Sequence, residues 1–386
     1  MEVLHTSYIC KAKLNFEDTD LDNLEKRNSY AQKTPTSTLP FLETKEGNIS
    51  ESISIETFLA LKFKPELLGS TVFERAKVNQ WIEFASCEIQ RCVQEIIYPI
   101  FNWREYNKDA ADDANKKLKN YLTTLEKELK DGKKYIMGNK ITLADIVVFR
   151  YLRFLMMLHF PENLRKSFIP KLTKWFENIM KSPEAIEAYG RTILCKKPIK
   201  PSNVKFDKNK LNENAEPGEK REISELDFLP PSSFDLDLFK KEFFEENNNN
   251  KKDSMEKLWK QFDSKGYSLW HIEYQNLESE GKKLFRMKNS KNFFLERLGN
   301  NFKRFAFAVH GVYGHEGDYK VRGVWLWRGT EIPKEVEEND YFKYLTIKKL
   351  KFDNNNDRQL VSDYWTKVNI GNKVDGRALE DFTYYC

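Results

Sequence analysis

The hydrophobic rhythm of the chain changes once. From residue 72 to 190 apolar side chains recur at spacings of three and four, the period of helices packed on one face. Ile82, Ala85, Ile89, Val93 and Ile96 mark one such face, broadened by Trp81 and Phe84. Leu118, Tyr121 or Leu122, Leu125 and Leu129 mark a second, with lysines on its opposite side and Gly132 as a stop. From Phe228 onward the period falls to two. YSLWHIEYQ (267–275) sets Trp270, Ile272 and Tyr274 on one face, and RFAFAVHGVYG (304–314) does the same with Phe305, Phe307 and Val309. VRGVWLWRG (321–329) puts Trp325 and Trp327 on one face and Val324 and Leu326 on the other. HEGD (315–318) is expected to turn the last two strands into an antiparallel hairpin. Short helices are expected at 291–299 and 358–367, and Asn247–Asn250 and Asn354–Asn356 read as loop tips.

Between the two regimes, residues 196–226 hold one aromatic, three prolines and many charges. Such a segment buries too little apolar surface to offset its ordering entropy, so it reads as a charged flexible linker. Composition sharpens the division: 29 of the aromatics fall in 227–386 and 24 in the 226 residues before. The 386 residues carry a net charge of only +5, which disfavours a dedicated nucleic-acid binder. Cys10, Cys87, Cys92, Cys195 and Cys386 form no CxxC pair, as expected of free thiols in a reducing compartment. The N-terminus lacks the pattern of a signal peptide, and YLRFLMMLHF (151–160) is too short to span a bilayer. A soluble cytoplasmic protein is therefore expected.

Two motifs lie in the first half. In 38–60, Leu39-Pro40 precedes an expected strand, FLET, and after a polar turn Glu51-Ser52 opens a helix. In 141–149, Thr142 at the N-cap and Asp145 three residues on make a capping box, with Ile141 and Ile146 at the hydrophobic-staple positions. Together these resemble the thioredoxin-like and helical halves of glutathione transferases. The resemblance implies a cis proline at Pro40, backbone pairing of Leu39 with the cysteinyl part of glutathione, and a γ-glutamyl site at Glu51 and Ser52. A helix N-terminus does attract carboxylates. A capping role for Ser52 is the alternative. Only 39 residues precede Pro40, about a dozen fewer than that family has, and SYICKAKLNFED reads as its second strand. The first strand and helix are expected to be missing or rebuilt. Tyr8 and Cys10 are near the expected thiolate-activating position, but no residue matches it and no catalytic residue is assigned.

The second half carries a longer signature. It comprises Leu229, Pro230, Ser232 or Ser233 and Phe234; then Trp259, Phe262, Asp263, Gly266, Tyr267, Ser268 and Trp270; then Gly323, Val324, Trp325, Arg328 and Gly329. It closely resembles the C-terminal domain of the translation elongation factor 1-gamma family, which joins a glutathione-transferase-like region to this domain by a charged linker. The resemblance implies a multidomain chain. Residues 1–68 are a truncated thioredoxin-like α/β region, 69–195 an all-helical bundle, 196–226 the linker, and 227–386 an α+β domain with an antiparallel sheet and flanking helices. It further implies a non-catalytic scaffold of the elongation factor 1 complex. Its N-terminal region would bind the guanine-nucleotide exchange subunit and so act indirectly on the tRNA-delivering GTPase. A homodimer remains an alternative. The ending, VDGRALEDFTYYC, departs from the family's basic terminus, so no role is assigned to it.

The residues themselves allow other readings. The large aromatics Trp259, Phe262, Tyr267, Trp270, Trp325 and Trp327 are expected to form one core, with a surface pocket at Arg328 and Asp263 as the alternative. Lys282–Arg304 carries net +7 with interleaved phenylalanines, as either a solvated helical face or an RNA-, membrane- or cytoskeleton-binding stretch. No phosphate-binding glycine loop, zinc spacing or Ser/His/Asp arrangement appears, and the five histidines are dispersed. No metal or obligatory cofactor is expected, with glutathione as the one alternative.

Overall fold

The computed structural model describes residues 2–17, 28–30, 32–35, 39–129, 132–201, 223–245 and 251–386. Most of the linker (202–222) and Asn247–Asn250 lie outside the described residues. The chain forms two compact units, Met1–Pro201 and Ser202–Cys386.

The first unit opens with a helix, α1 (Glu2–Ile9), which takes the start of the segment 7–18 expected as a strand, and none of the described residues 7–17 is a strand. The eight residues of α1 are too few for a reliable period. Leu4, His5, Thr6, Ser7 and Ile9 are all buried, so helical and extended readings fit the sequence alike. The chain thus keeps a helix ahead of a two-stranded hairpin, β1 (Phe41–Thr44) and β2 (Gly47–Ser50), which feeds α2 (Ser52–Phe63). This reduced thioredoxin-like part leads into the bundle: α3 (Val72–Glu83), α4 (Gln90–Ile96), α5 (Lys108–Glu128), α6 (Leu143–Leu158), α7 (Glu162–Phe168), α8 (Pro170–Met180) and α9 (Pro183–Tyr189). A π-helical turn, Phe84–Ile89, joins α3 to α4 without breaking the run. Ile82, Ala85, Ile89, Val93 and Ile96 are all buried along it, and Leu118, Leu122, Leu125 and Leu129 are buried on or just beyond α5. The hydrophobic α6, buried almost all round, forms the centre of the bundle.

The second unit is an α+β fold around a six-stranded antiparallel sheet, order β6-β3-β5-β4-β8-β7. Its helices and strands are α10 (Leu236–Glu245), α11 (Lys252–Gln261), β3 (Tyr267–Tyr274), α12 (Leu284–Leu298), β4 (Ala306–Tyr313), β5 (Lys320–Arg328), α13 (Lys334–Glu337), β6 (Leu345–Leu350), α14 (Asn355–Thr366), β7 (Lys373–Val374) and β8 (Arg377–Tyr385). The expected β4–β5 hairpin is present, with Val309 opposite Val324 and Ala308 opposite Trp325.

The expected single aromatic core is in fact two. Side chains alternate across a strand, so Tyr267 and Trp270, three residues apart, face opposite ways. Tyr267, with Phe262 and Trp259, joins Phe307, Val324, Leu326 and the buried Trp365 of α14 on one face. Trp270 stacks on Trp327 at 5.2 Å on the other, where Phe294 of α12 packs on Trp325. Asn354–Asn356 is likewise no loop tip. Asn354 caps α14, its Oδ1 accepting from the amides of Asn356 and Asp357, a role asparagine performs well. The unassigned ending supplies β8, which pairs along β4.

Candidate functional site

The hairpin register, Phe41 opposite Ser50, brings the four glutathione candidates to one corner. Leu39-Pro40 enters β1 and is cis. Glu51 leaves β2 with φ of 70° and takes the N-cap position of α2, so Ser52 is the first helical residue rather than the cap. Leu39 and Glu51 are exposed, and Ser52 is half-buried. The corner thus offers backbone beside Pro40 and a helix N-terminus facing solvent, suited to an extended backbone and a carboxylate. Tyr8 and Cys10 belong to α1 and its end. Cys10 is buried, and burial pushes its thiol up to about 11, the opposite of an activated thiolate.

A buried ion pair ties this corner to the bundle. The Glu56 carboxylate of α2 accepts from Arg150 Nη1 of α6 at 3.0 and 3.1 Å and from Thr6 Oγ1 of α1 at 3.1 Å. The sequence does not mark this pair, since α2 also carries Lys62 and α6 also carries Asp145 and Arg153. Beside it, the His5 ring lies between Phe149 and Tyr189, fully buried, with no hydrogen-bond partner on either nitrogen among the described residues. Burial first, and then the Arg150 charge, lower its pKa to about 3. Below pH 6.5 the unfolded chain gains a proton at His5 that the folded chain refuses, so stability falls as pH drops from 6.5 towards 3. The expected slope from this residue is about 1.4 kcal/mol per pH unit. Urea unfolding of the full chain at pH 7 and at mildly acidic pH should show a smaller acid loss for His5→Leu than for wild type. An equal loss would refute it.

The capping motif does more than start a helix. Asp145 Oδ2 accepts from the Thr142 amide at 2.9 Å and its hydroxyl at 2.8 Å. Oδ1 accepts from the Ile136 amide at 2.8 Å and Trp175 Nε1 at 2.9 Å. Ile146 is buried and Ile141 half-buried. Burial pushes the Asp145 carboxyl up, and these four bonds oppose the shift.

In the second unit the signature residues lock onto each other. Arg328, buried over the Tyr267 ring, donates from Nη1 to the Gly266 carbonyl at 2.5 Å and from Nη2 to that of Pro230. Ser232 Oγ donates to Asp263 at 2.6 Å, and that bond is the chief reason the Asp263 carboxyl sits below its usual range. The Gly329 amide donates to Gly266 O at 2.8 Å, Ser268 Oγ to Gly329 O at 2.6 Å, and Trp270 Nε1 to Ser268 Oγ at 2.8 Å. A side chain at Gly266 would strike Asp263, Arg328 and Ser232 together. The Arg328–Asp263 region is therefore a latch joining the 229–234 segment to β3 and β5, with its polar groups spent on one another.

Much of the charge of the basic stretch is spent within the second unit. Lys291 is buried, donating to Asp381 and to Thr383 Oγ1 at 2.7 Å, and burial lowers its pKa. Arg297 pairs with Asp340 at 3.1 Å, Arg304 with Asp227 at 2.6 Å and Lys283 with Glu316 at 2.6 Å. The partners lie 33 to 92 residues away, so local sequence could not reveal them. Among the described residues no cluster of three His, Cys, Asp or Glu is placed to hold a metal ion. No described helix is long and apolar enough to cross a membrane.

Comparison with known proteins agrees with this division. Residues 90–183 match the glutathione S-transferase C-terminal domain, and residues 221–331 match the elongation factor 1 gamma conserved domain. A solved structure of the GST-like domain of elongation factor 1-gamma from Saccharomyces cerevisiae is 22% identical with a TM-score of 0.45, covering 52% of this chain and 93% of that one. Probable elongation factor 1-gamma 1 of Arabidopsis thaliana is 28% identical over 379 residues, covering 92% of this chain and 86% of the relative. Elongation factor 1-gamma of Prunus avium is 30% identical over 386 aligned positions, with the same two coverages of 92% and 86%. With similarity at that level running through both units, the chain belongs to the elongation factor 1-gamma family.

Proposed function

We propose that the chain is a non-catalytic scaffold subunit of the translation elongation factor 1 complex, holding the guanine-nucleotide exchange subunit through its N-terminal region. The observation that carries this reading is the family relationship, which spans 86% of the relatives' length and both units. The buried Cys10 thiol, pushed up to about 11, supports a role without thiolate chemistry. The docking edge in this reading is the β1–β2 hairpin, where each strand has one neighbour among the described residues and keeps an outer edge for a partner. The setting would be the cytoplasm. Mixed with the exchange subunit, the full chain is expected to co-elute with it in size-exclusion chromatography. Separate elution at micromolar concentrations would reject the scaffold.

A second reading, glutathione binding, rests on the corner that gathers Leu39, Pro40, Glu51 and Ser52. Calorimetric titration with glutathione decides it. Binding that Ser52→Ala weakens supports this reading, and no heat of binding removes it.

A further inference from the structure

β6 is an edge of the six-stranded sheet, bonded to β3 and to no other strand among the described residues. Along an antiparallel ladder, residues bonded to the neighbour alternate with residues whose amide and carbonyl point away from it. Just beyond the pair Tyr274–Leu345, the Gln275 amide donates to the Tyr344 carbonyl at 2.8 Å, so 275 and 344 are a bonded pair. Counting in twos along the register gives Thr346, Lys348 and Leu350 to β3. The amides and carbonyls of Leu345, Ile347 and Lys349 therefore point out of the sheet, and none finds a hydrogen-bond partner among the described residues. The Lys351 amide, next in the same phase, is met by Asp357 Oδ2 at 2.8 Å, which closes the row at that end. The open row is about 14 Å long.

The side chains along this edge are charged with one sign. Residues 343–351 hold four lysines and no carboxylate, and 343–358, which adds Asp353, Asp357 and Arg358, keeps net +3. Lys349 is engaged: its ammonium donates to the Thr330 carbonyl and lies 5.3 Å from the Trp270 ring centre and 3.9 Å from Glu331. Lys343, Lys348 and Lys351 are exposed and form no ion pair with a described residue. Lysines on an edge deter strands of like charge. They favour an acidic strand, whose carboxylates they meet as cross-strand pairs.

We propose that the outer edge of β6 takes an extended acidic segment of a partner protein as a seventh strand of the sheet. The outward backbone groups of Leu345, Ile347 and Lys349 supply the ladder, and Lys343, Lys348 and Lys351 select for carboxylates. A second copy of the edge would lay four lysines against four. A nucleic acid answers the charge but leaves the row of amides and carbonyls without a matching row. The edge belongs to the second unit and the hairpin edge assigned to the exchange subunit to the first, so the two proposals fail independently.

The probe is a fluorescein-labelled twelve-residue peptide alternating threonine with glutamate, read by anisotropy on the full chain. One control replaces glutamate with lysine. The other is the acidic peptide N-methylated at every residue, which keeps the carboxylates and removes the backbone donors. Wild type is expected to bind the unmodified acidic peptide at least tenfold more tightly than either control. Lys348→Glu combined with Lys351→Glu should weaken it about tenfold with unchanged thermal unfolding. Ile347→Pro removes an outward amide that β3 does not use, a position where an edge strand tolerates proline, and should weaken binding as well. The methylated peptide makes the same test of the ladder without altering the protein. No binding of the acidic peptide, equal binding of its methylated form, or tighter binding of a single-stranded oligonucleotide would overturn the proposal.

Discussion

Replacing Asp145 with alanine is expected to destabilise the first unit by about 3–5 kcal/mol. The side chain is fully buried and receives four donors: two amides, a hydroxyl and the Trp175 indole. Alanine leaves all four without an acceptor and removes both the helix cap and the link from α6 to α8. For a unit of this size, that is a drop in its unfolding temperature of roughly 10 °C. Asp145→Asn isolates the carboxylate. Its amide oxygen can serve one pair of donors, but its NH2 then meets the other pair, so an intermediate loss is expected. Calorimetric scans of the full chain check both. An Asp145→Ala transition within a degree or two of wild type would show that the four bonds contribute little net stability.

Gly323→Ala is expected to cost the second unit about 3 kcal/mol, by overpacking. Gly323 on β5 lies opposite His310 on β4, and the His310 ring crosses the space where a Cβ would stand. That Cβ would also lie 2.7 Å from the Val309 carbonyl oxygen, a backbone atom held in the sheet ladder. To admit the methyl group, His310 must leave its contact with Trp325, whose Nε1 donates to His310 Nδ1 at 3.1 Å. His310→Ala removes the obstructing ring. In a double-mutant cycle the pair should therefore be less destabilising than the sum of the two single losses. Strict additivity would mean that the backbone contact alone, rather than the histidine, requires glycine.

The legible parts of the fold were those set by local periodicity. The strand alternation of Val324, Trp325, Leu326 and Trp327, the buried stripe on α5 and the Thr142–Asp145 cap are each written within a few residues. What stayed hidden depends on distant partners. Glu56 reads as an ordinary helix carboxylate until Arg150, 94 residues later, is brought against it. Lys291 reads as one more surface lysine until β8 carries Asp381 and Thr383 to it. α1 was misread because burial on all sides erases the polar face that distinguishes a helix. The candidate corner was legible in its residue types, and the hairpin register supplied their proximity.

The sheet order also sets the sequence in which the second unit can fold. β4 and β5 are joined by a short turn and can pair as soon as both exist. The opposite side of β4 must wait for β8, whose paired residues follow about 65 positions or more later in the chain. A nascent or truncated chain stopped before Arg377 therefore leaves Ala308–Tyr313, six mostly apolar strand residues, along an open edge. That is the geometry through which one chain recruits another into aggregates, so production of this unit depends on completing its last strand.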